Sequence, residues 1–236
     1  MSKIRNSLSQ PAYEYLLGRI MRKEMMPGMH ISELSIADEL GISRTPVRDA
    51  LRRLANEGLV TIYPNRFVKV SEYSDEDFFN IGTMRIAMET MSVKLASFYG
   101  SMADFMRLQE IAVQCYDAIL SNDEEGARLL DAGFHMEMAR LTNNVLLMKF
   151  HEELYLRVEF ILLHTVDMVR VENEHMRQHL DIVDAMIKQD IERACFLVQE
   201  QLSSFYRLRK RFPEKLFIDH FDRFSGNYVN KNKTEP

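Results

Sequence analysis

Residues Gly41 to Leu54 read GISRTPVRDALRRL, with four arginines and a proline gathered at the opening of a helix. On a wheel of 100° per residue, Val47, Leu51, Leu54 and Gly58 fall together and are expected to face a core. Thr45, Arg48, Arg52 and Asn56 occupy the other face, and Arg44 precedes the helix, where its side chain can reach past the N-terminus. Ser43 or Thr45 fits the cap, and Pro46 suits a first turn whose amides have no intrahelical acceptor. A recognition helix needs such a face: arginines near its start can read guanine O6 and N7 in a major groove, and its free amides favour a phosphate. A solvated basic face on an ordinary packing helix has the same composition, so the stretch must be read with its neighbours.

Upstream, AYEYLLGRIMRKEMM after Pro11 carries apolar residues at helical spacing, and PGMH at 27–30 stops it. SELSIADELG follows as a short helix, with Ser32 as cap and Gly41 as brake. Downstream, LVTIY and FVKV flank Pro64, Asn65 and Arg66 and read as a hairpin. Three helices and a hairpin make a winged helix-turn-helix, assigned to residues 1–72. After a short linker at Ser71 to Asp75, with Ser74 and Asp77 resembling a helix-opening box, the pattern stays helical to about Phe212. Breaks near Gly100, Asn122, Thr142 to Asn144, Val171 to Asn173 and Gln189 divide it into six helices. The expected fold is therefore mainly α: a winged helix-turn-helix, then an all-α helical bundle over 73–212 and a tail over 213–236 whose last ten residues are polar and expected to be disordered.

Composition fits this division. The chain of 236 residues has net charge -5, yet residues 1–70 hold 11 Lys and Arg against 7 Asp and Glu, while the rest hold 19 against 28. A basic first part and an acidic second part suggest that only the first meets a polyanion. The N-terminus lacks the apolar core of a signal peptide, and no run approaches the roughly 20 apolar residues that span a bilayer; a cytoplasmic protein without membrane contact is expected. Cys115 and Cys195 sit in apolar helical segments as buried thiols. The 16 methionines, scattered at helical spacing, read as core filler.

The block SIADELGISRTPVRDALRRLANEGLV resembles the DNA-binding domain of the GntR family of bacterial transcription regulators, and the likeness covers nearly all of residues 11–70. It implies that Arg44, Thr45 and Arg48 contact DNA and that the wing enters a minor groove; Arg52 and Arg53 are read from the helix as phosphate contacts or simply solvated. The family often has Arg in place of Leu34 and Gly in place of Phe67; with both absent, Arg66 becomes the wing contact to expect.

In the second part, Asp131 and His135 are four residues apart in DAGFH, which sets a carboxylate and an imidazole on one helical face, and His179 lies in QHLDIVDAM. Such groups suit Zn²⁺, Ni²⁺ or Mn²⁺, although any helical protein with 7 histidines offers similar pairs. MRIAMET with Arg85 and Glu89, the DAGFH block, the turn at Asn143 and Asn144, and His179 eleven residues before Asp190 together resemble the FCD effector domain of the FadR subfamily, over about 74–210. That resemblance implies a divalent transition metal held by one Asp and three His beside a small carboxylate effector. Asp131, His135 and His179 match three ligands; the fourth position is Gln201. His175, one turn before His179, is an alternative source of a nitrogen, and a metal-free cavity lined by the same polar groups is another outcome. Arg85, Asn144 and Tyr155 are the effector-pocket candidates; Arg85 can grip a carboxylate in two-pronged fashion or simply pair with Glu89.

The resulting expectation is a homodimeric, ligand-responsive transcription regulator and not an enzyme. Two heads would bind a pseudo-palindromic double-stranded operator, with a small carboxylate effector changing affinity, in the direction of a repressor relieved by ligand. The alternatives are a metal-free sensor of an apolar acyl ligand, an architectural DNA-binding protein without a ligand, and a metalloenzyme whose Asp131, His135 and His179 activate water. The last lacks an evident general base.

Overall fold

The computed structural model describes residues 2–64, 66–164 and 173–213, with residues 2–7 and Asn173 described by their backbone alone. Asn65 at the hairpin tip, the break expected at Val171 and the tail beyond Pro213 lie outside the described residues. In chain order the elements are α1 (Ser2–Met21), β1 (His30–Ile31), α2 (Glu33–Leu40), α3 (Arg44–Asn56), β2 (Val60–Tyr63), β3 (Phe67–Val70), α4 (Asp75–Tyr99), α5 (Met102–Leu120), α6 (Glu124–Arg140), α7 (Val145–His164), α8 (Asn173–Ile187) and α9 (Ile191–Phe205), with a 3-10 turn at Leu208–Lys210. The mainly α reading holds, as do, among the described residues, the six helices after the wing.

Packing divides these elements into two compact units. The first takes the residues up to Ser74 together with a segment beginning at Tyr155, and the second takes Asp75–Leu154 and the helices from α8 onward. In the first unit α1 packs on α3, and α3 packs on α2 and β2. Ala12, Leu16 and Ile20, four apart on α1, meet Val47, Ala50, Leu51 and Leu54 of α3 in a core where each is 1% exposed or less. Burial of each leucine or isoleucine contributes about 1.5–3 kcal/mol. Ser32 caps α2, its Oγ accepting from the Ser35 amide at 3.2 Å, and Gly41 closes that helix with φ 65. Ser43 stands at the N-cap of α3 without a side-chain bond.

Three details depart from the sequence expectation. Helix α1 contains Pro11 and ends at Met21, before the PGMH signal, because Lys23 takes a left-handed φ of 61 that directs the Glu24 and Met25 amides back to the Arg19 carbonyl. Arg44 lies inside the first turn of α3 and not ahead of it. A third strand, β1, joins the hairpin in the order β1-β3-β2, pairing His30 with Lys69 and Ile31 with Val68; two residues are too short for a periodicity signal.

The far half of α7 belongs with the first unit and closes helix ends there. Arg157 donates through Nε to the Glu57 carbonyl at 2.9 Å and through Nη2 to that of Asn56 at 3.1 Å, and His164 Nε2 lies 3.1 Å from the Ile20 carbonyl. Last-turn carbonyls of a helix have no intrahelical donor, so these contacts satisfy α3 and α1 where they end. Gly58 makes the approach feasible: with φ +86, an added Cβ would stand 2.9 Å from Arg157 Nε and 2.7 Å from the Tyr73 hydroxyl.

In the second unit α5 packs on α6 and α8, α4 on α9 and α6, and α8 on α9. Phe105, Leu108, Phe134, Met138, Met176, Ile182 and Phe196 belong to one buried cluster, which also holds Cys115 and Cys195 as free thiols. Met88, Met138, Met176 and Met186 serve as core filler as expected. Met84, Met91, Met102 and Met106 do not, being 47 to 56% exposed, because they lie on the faces of α4 and α5 turned away from that core. Through it runs a polar seam of fully or nearly fully buried groups: Arg85 and Glu89 on α4, Asp131 and His135 on α6, His175 and His179 on α8, and Gln201 on α9.

Candidate functional site

The described residues present two sites, one per unit. On the first, Arg44, Thr45, Arg48 and Arg52 project from α3 into solvent, and Arg66 is exposed at the wing. A groove of about 770 Å³ lies between them, with Glu33, Arg48, Arg52, Tyr63, Arg66 and Phe67 among its walls. The structure thus puts Arg48, Arg52 and Arg66 on one surface. Arg53 does not join them: its guanidinium sits 3.6 Å over the Tyr13 ring and bonds Glu57 and Gln10 at 3.0 and 2.8 Å, so it ties α3 to α1.

Glu33, which the sequence reading did not select, faces this groove. It accepts from Arg48 Nη2 at 2.7 Å and from Nε at 3.2 Å, and that hydrogen bond lowers the Glu33 carboxyl below its ordinary value. The pairing leaves Arg48 with the outer edge of its guanidinium facing away from Glu33. Next to it the wing is aromatic: His30 stacks on Phe67 at 4.3 Å and Tyr63 lies 4.6 Å from Phe67, filling the space that a glycine at 67 would leave open. Leu34 is 57% exposed on α2.

The second site is the buried seam. Asp131 Oδ1 is its hub, with His175 Nε2 at 3.2 Å, His179 Nε2 at 3.3 Å and His135 Nε2 at 3.8 Å. The Nε2 atoms of His135 and His179 are 3.4 Å apart. Donors about 2.0–2.2 Å from a common ion, and roughly at right or tetrahedral angles, stand about 3.0–3.5 Å from one another, so the spacings of His175 and His179 from Asp131 fit a small divalent cation, while His135 stands just outside that range from Asp131 and within it from His179. Burial would raise the Asp131 carboxyl, but hydrogen bonds from His175 and His179 outweigh it and hold the group well below its ordinary value, ionised. Burial lowers His179 to about 4, which keeps its imidazole neutral near pH 7, the charge state a metal ligand needs.

An outer layer orients this cluster. His135 Nδ1 lies 3.1 Å from Glu89 Oε2, the carboxylate-imidazole arrangement that fixes a metal-binding histidine's tautomer. Glu89 also pairs with Arg85 Nη2 at 3.3 Å; burial raises its carboxyl, yet its neighbours His135 and Arg85 bring it down to about 2. Arg85 Nη1 donates to the Tyr206 hydroxyl at 3.1 Å. Tyr206 crosses α4 at Gly82, where a Cβ would lie 2.5 Å from its ring, so the absence of a side chain there leaves room for the tyrosine that accepts from Arg85. On the same helix Ser92 Oγ lies 2.9 Å from His151 Nε2.

Of the sequence-selected residues, the structure gathers Asp131, His135 and His179, and links Arg85 to them through Glu89. Asn144 is exposed and opens α7, its Oδ1 accepting from the Leu147 amide at 3.1 Å. Tyr155 is buried at the start of the α7 segment grouped with the first unit. Gln201 gives its amide Nε2 to the His175 carbonyl at 2.9 Å. Glu89 was visible in the sequence only as a partner for Arg85, and Tyr206 carried no sequence signal.

With both geometries established, similarity to known proteins bears on them. The model for bacterial regulatory proteins of the gntR family matches residues 8–70, and that for the FCD domain matches residues 80–204. The Nta operon transcriptional regulator of Aminobacter aminovorans is 32% identical over 181 residues, covering 73% of this chain and 80% of that protein. The HTH-type transcriptional repressor RspR of Escherichia coli strain K12 is 28% identical over 203 residues, covering 85% and 89%. In solved structures, E. coli McbR/YncC shares the fold with a TM-score of 0.69 at 22% identity, over 86% of this chain and 99% of the other.

Proposed function

This chain belongs to the GntR family of bacterial regulatory proteins, with an FCD domain behind its helix-turn-helix, and is a transcription regulator; from that premise we propose that it is a repressor whose operator affinity is set by a small carboxylate metabolite. The observation that carries the effector half is the buried hub of Asp131 and three imidazoles, backed by Glu89 and Arg85. A helical core gains nothing in stability from a carboxylate at that depth that an apolar side chain would not supply. Ligand recognition explains its presence. The donor set fits a divalent transition ion, held by Asp131, His135 and His179, which would offer open positions and positive charge to a carboxylate. Arg85 stands behind Glu89 as a second cationic group. The relative named a repressor, RspR, supports the sign.

On the DNA side, Arg44, Thr45 and Arg48 read bases from α3, while Arg52 and Arg66 hold phosphates. The two half-sites of a pseudo-palindrome call for a second copy of the chain. Met84, Met91 and Phe98 recur every seven residues on α4 and are 54, 47 and 77% exposed, a stripe suited to a twofold contact, so Met91→Glu is expected to shift the sedimenting species toward monomer. Residues 1–72 would act as the head, 73–212 as the sensor.

The deciding experiment selects an operator from random duplexes. Anisotropy titrations then follow with zinc and a panel of mono- to tricarboxylates. A carboxylate that lowers operator affinity by about 5–150-fold, the usual range of allosteric coupling, is the expected result. If acyl ligands act without metal and carboxylates do not, the effector class is wrong. If no ligand acts, the protein is not a ligand-responsive repressor.

A further inference from the structure

We propose that His175 is itself a ligand of the divalent ion, supplying from α8 the imidazole that the family resemblance leads one to expect from position 201 on α9. This deepens the metal reading above and depends on it. Three observations carry it. First, His175 Nε2 stands 3.2 Å from Asp131 Oδ1, nearer than the 3.8 Å of His135 Nε2, and His175 is buried with it. Second, His175 and His179 are four apart on one helix, which places both rings on one face; Asp131, His175 and His179 can each bring one donor atom within 4.8 Å of the others'. Third, the side chain at 201 is committed elsewhere through its nitrogen: fully buried, it donates to the backbone carbonyl of His175 at 2.9 Å. The residue at the expected ligand position thus holds the turn of α8 that carries the replacement ligand. Phe205, its ring centroid 4.8 Å from that of His175 and tilted by 37°, confines the imidazole from the side.

The competing role for His175 is to hydrogen-bond Asp131 without touching the ion. Outer partners of this kind change metal affinity by about 10–100-fold when removed. A ligand should change it by more, and its loss should remove one imidazole from the coordination sphere.

The test uses full-length protein loaded with zinc, with affinity measured by competition against a chromophoric chelator and imidazole number by X-ray absorption at the zinc edge. His175→Ala and the hydrogen-bonding His175→Asn are compared with Gln201→Ala and with the double variant His175→Ala/Gln201→His, with circular dichroism confirming the fold of each. The expected result is three imidazoles in the wild type and two in both His175 variants, with affinity reduced more than about 100-fold. Gln201→Ala keeps all three, and the double variant recovers the third. An imidazole count that does not fall by one on loss of His175 overturns the assignment while leaving the metal reading intact. Failure of the wild type to take up zinc at all overturns both.

Discussion

The arginines of α3 and the histidines of α6 and α8 stand in opposite relations to water. Arg48 and Arg52 are about half exposed or more and hold carboxylates at the surface, where such pairs are worth about 0–1 kcal/mol and exchange readily for other anions. A DNA phosphate or a guanine edge can replace Glu33 or Asp49 without disturbing the core. Asp131, His135, His179, Glu89 and Arg85 have no such freedom: nearly all their surface is buried, and stranding one partner of a buried pair costs about 3–5 kcal/mol. Substitution on the first surface therefore reports on binding, whereas substitution in the second reports on folding and binding together.

This contrast can be broken most directly at its deepest point. Asp131→Asn is expected to lower zinc affinity by more than about 100-fold and to destabilise the fold by about 3–5 kcal/mol, read by chelator competition and by denaturant unfolding. Unchanged zinc binding would remove Asp131 from the hub. Gly82→Ala tests whether the seam depends on packing outside it: a Cβ driven into the Tyr206 ring should cost about 1–3 kcal/mol as overpacking. A neutral result in the same unfolding assay would show that Tyr206 can yield. Arg48→Ala should leave the unfolding curve within about 0.5 kcal/mol of wild type yet weaken operator binding by about 1–3 kcal/mol; a loss of stability instead would contradict the separation of the two regions.

The smallest and sharpest case is Glu33→Gln. Removing a negative charge beside Arg48, the arginine proposed to face DNA, should strengthen binding to any duplex if only charge matters. If Glu33 fixes the Arg48 guanidinium for one base pair, the ratio of operator to non-operator affinity falls several-fold, by less than about 1 kcal/mol, even as non-specific binding rises. Titration against both duplexes separates the two.

The same contrast explains what was legible in the sequence. The winged helix-turn-helix is written in one contiguous block: the apolar face at Val47, Leu51 and Leu54, the cap at Ser32 and the stop at Gly41 each act within a few residues. The buried seam draws on α4, α6, α8 and α9, and the pairs that matter, Asp131 with His175 and Arg85 with Tyr206, are 44 and 121 residues apart. Spacing of four showed that His175 and His179 share a face, but not that this face turns inward. The end of α1 at Met21 was hidden for a different reason. A lysine took the left-handed position usually marked by glycine, and tertiary contacts at Arg19 and Ile20 favoured it over the later Pro27.

Arg157 and His164 bear on how the protein can be cut and recombined. Chain order invites a cut in the linker at residues 71–75 to free a DNA-binding fragment, but that cut discards the side chains that close the ends of α3 and α1, which lie far downstream of it in the chain. Such a fragment would retain every arginine of the reading surface while losing the donors to the Asn56, Glu57 and Ile20 carbonyls. The recognition helix would then fray from its far end. Chimeras that graft this head onto a relative's sensor inherit the same requirement: the junction that matters is a matched pair of surfaces, and a donor helix without an arginine at 157 would deliver a head with the right bases to read and a looser grip on them.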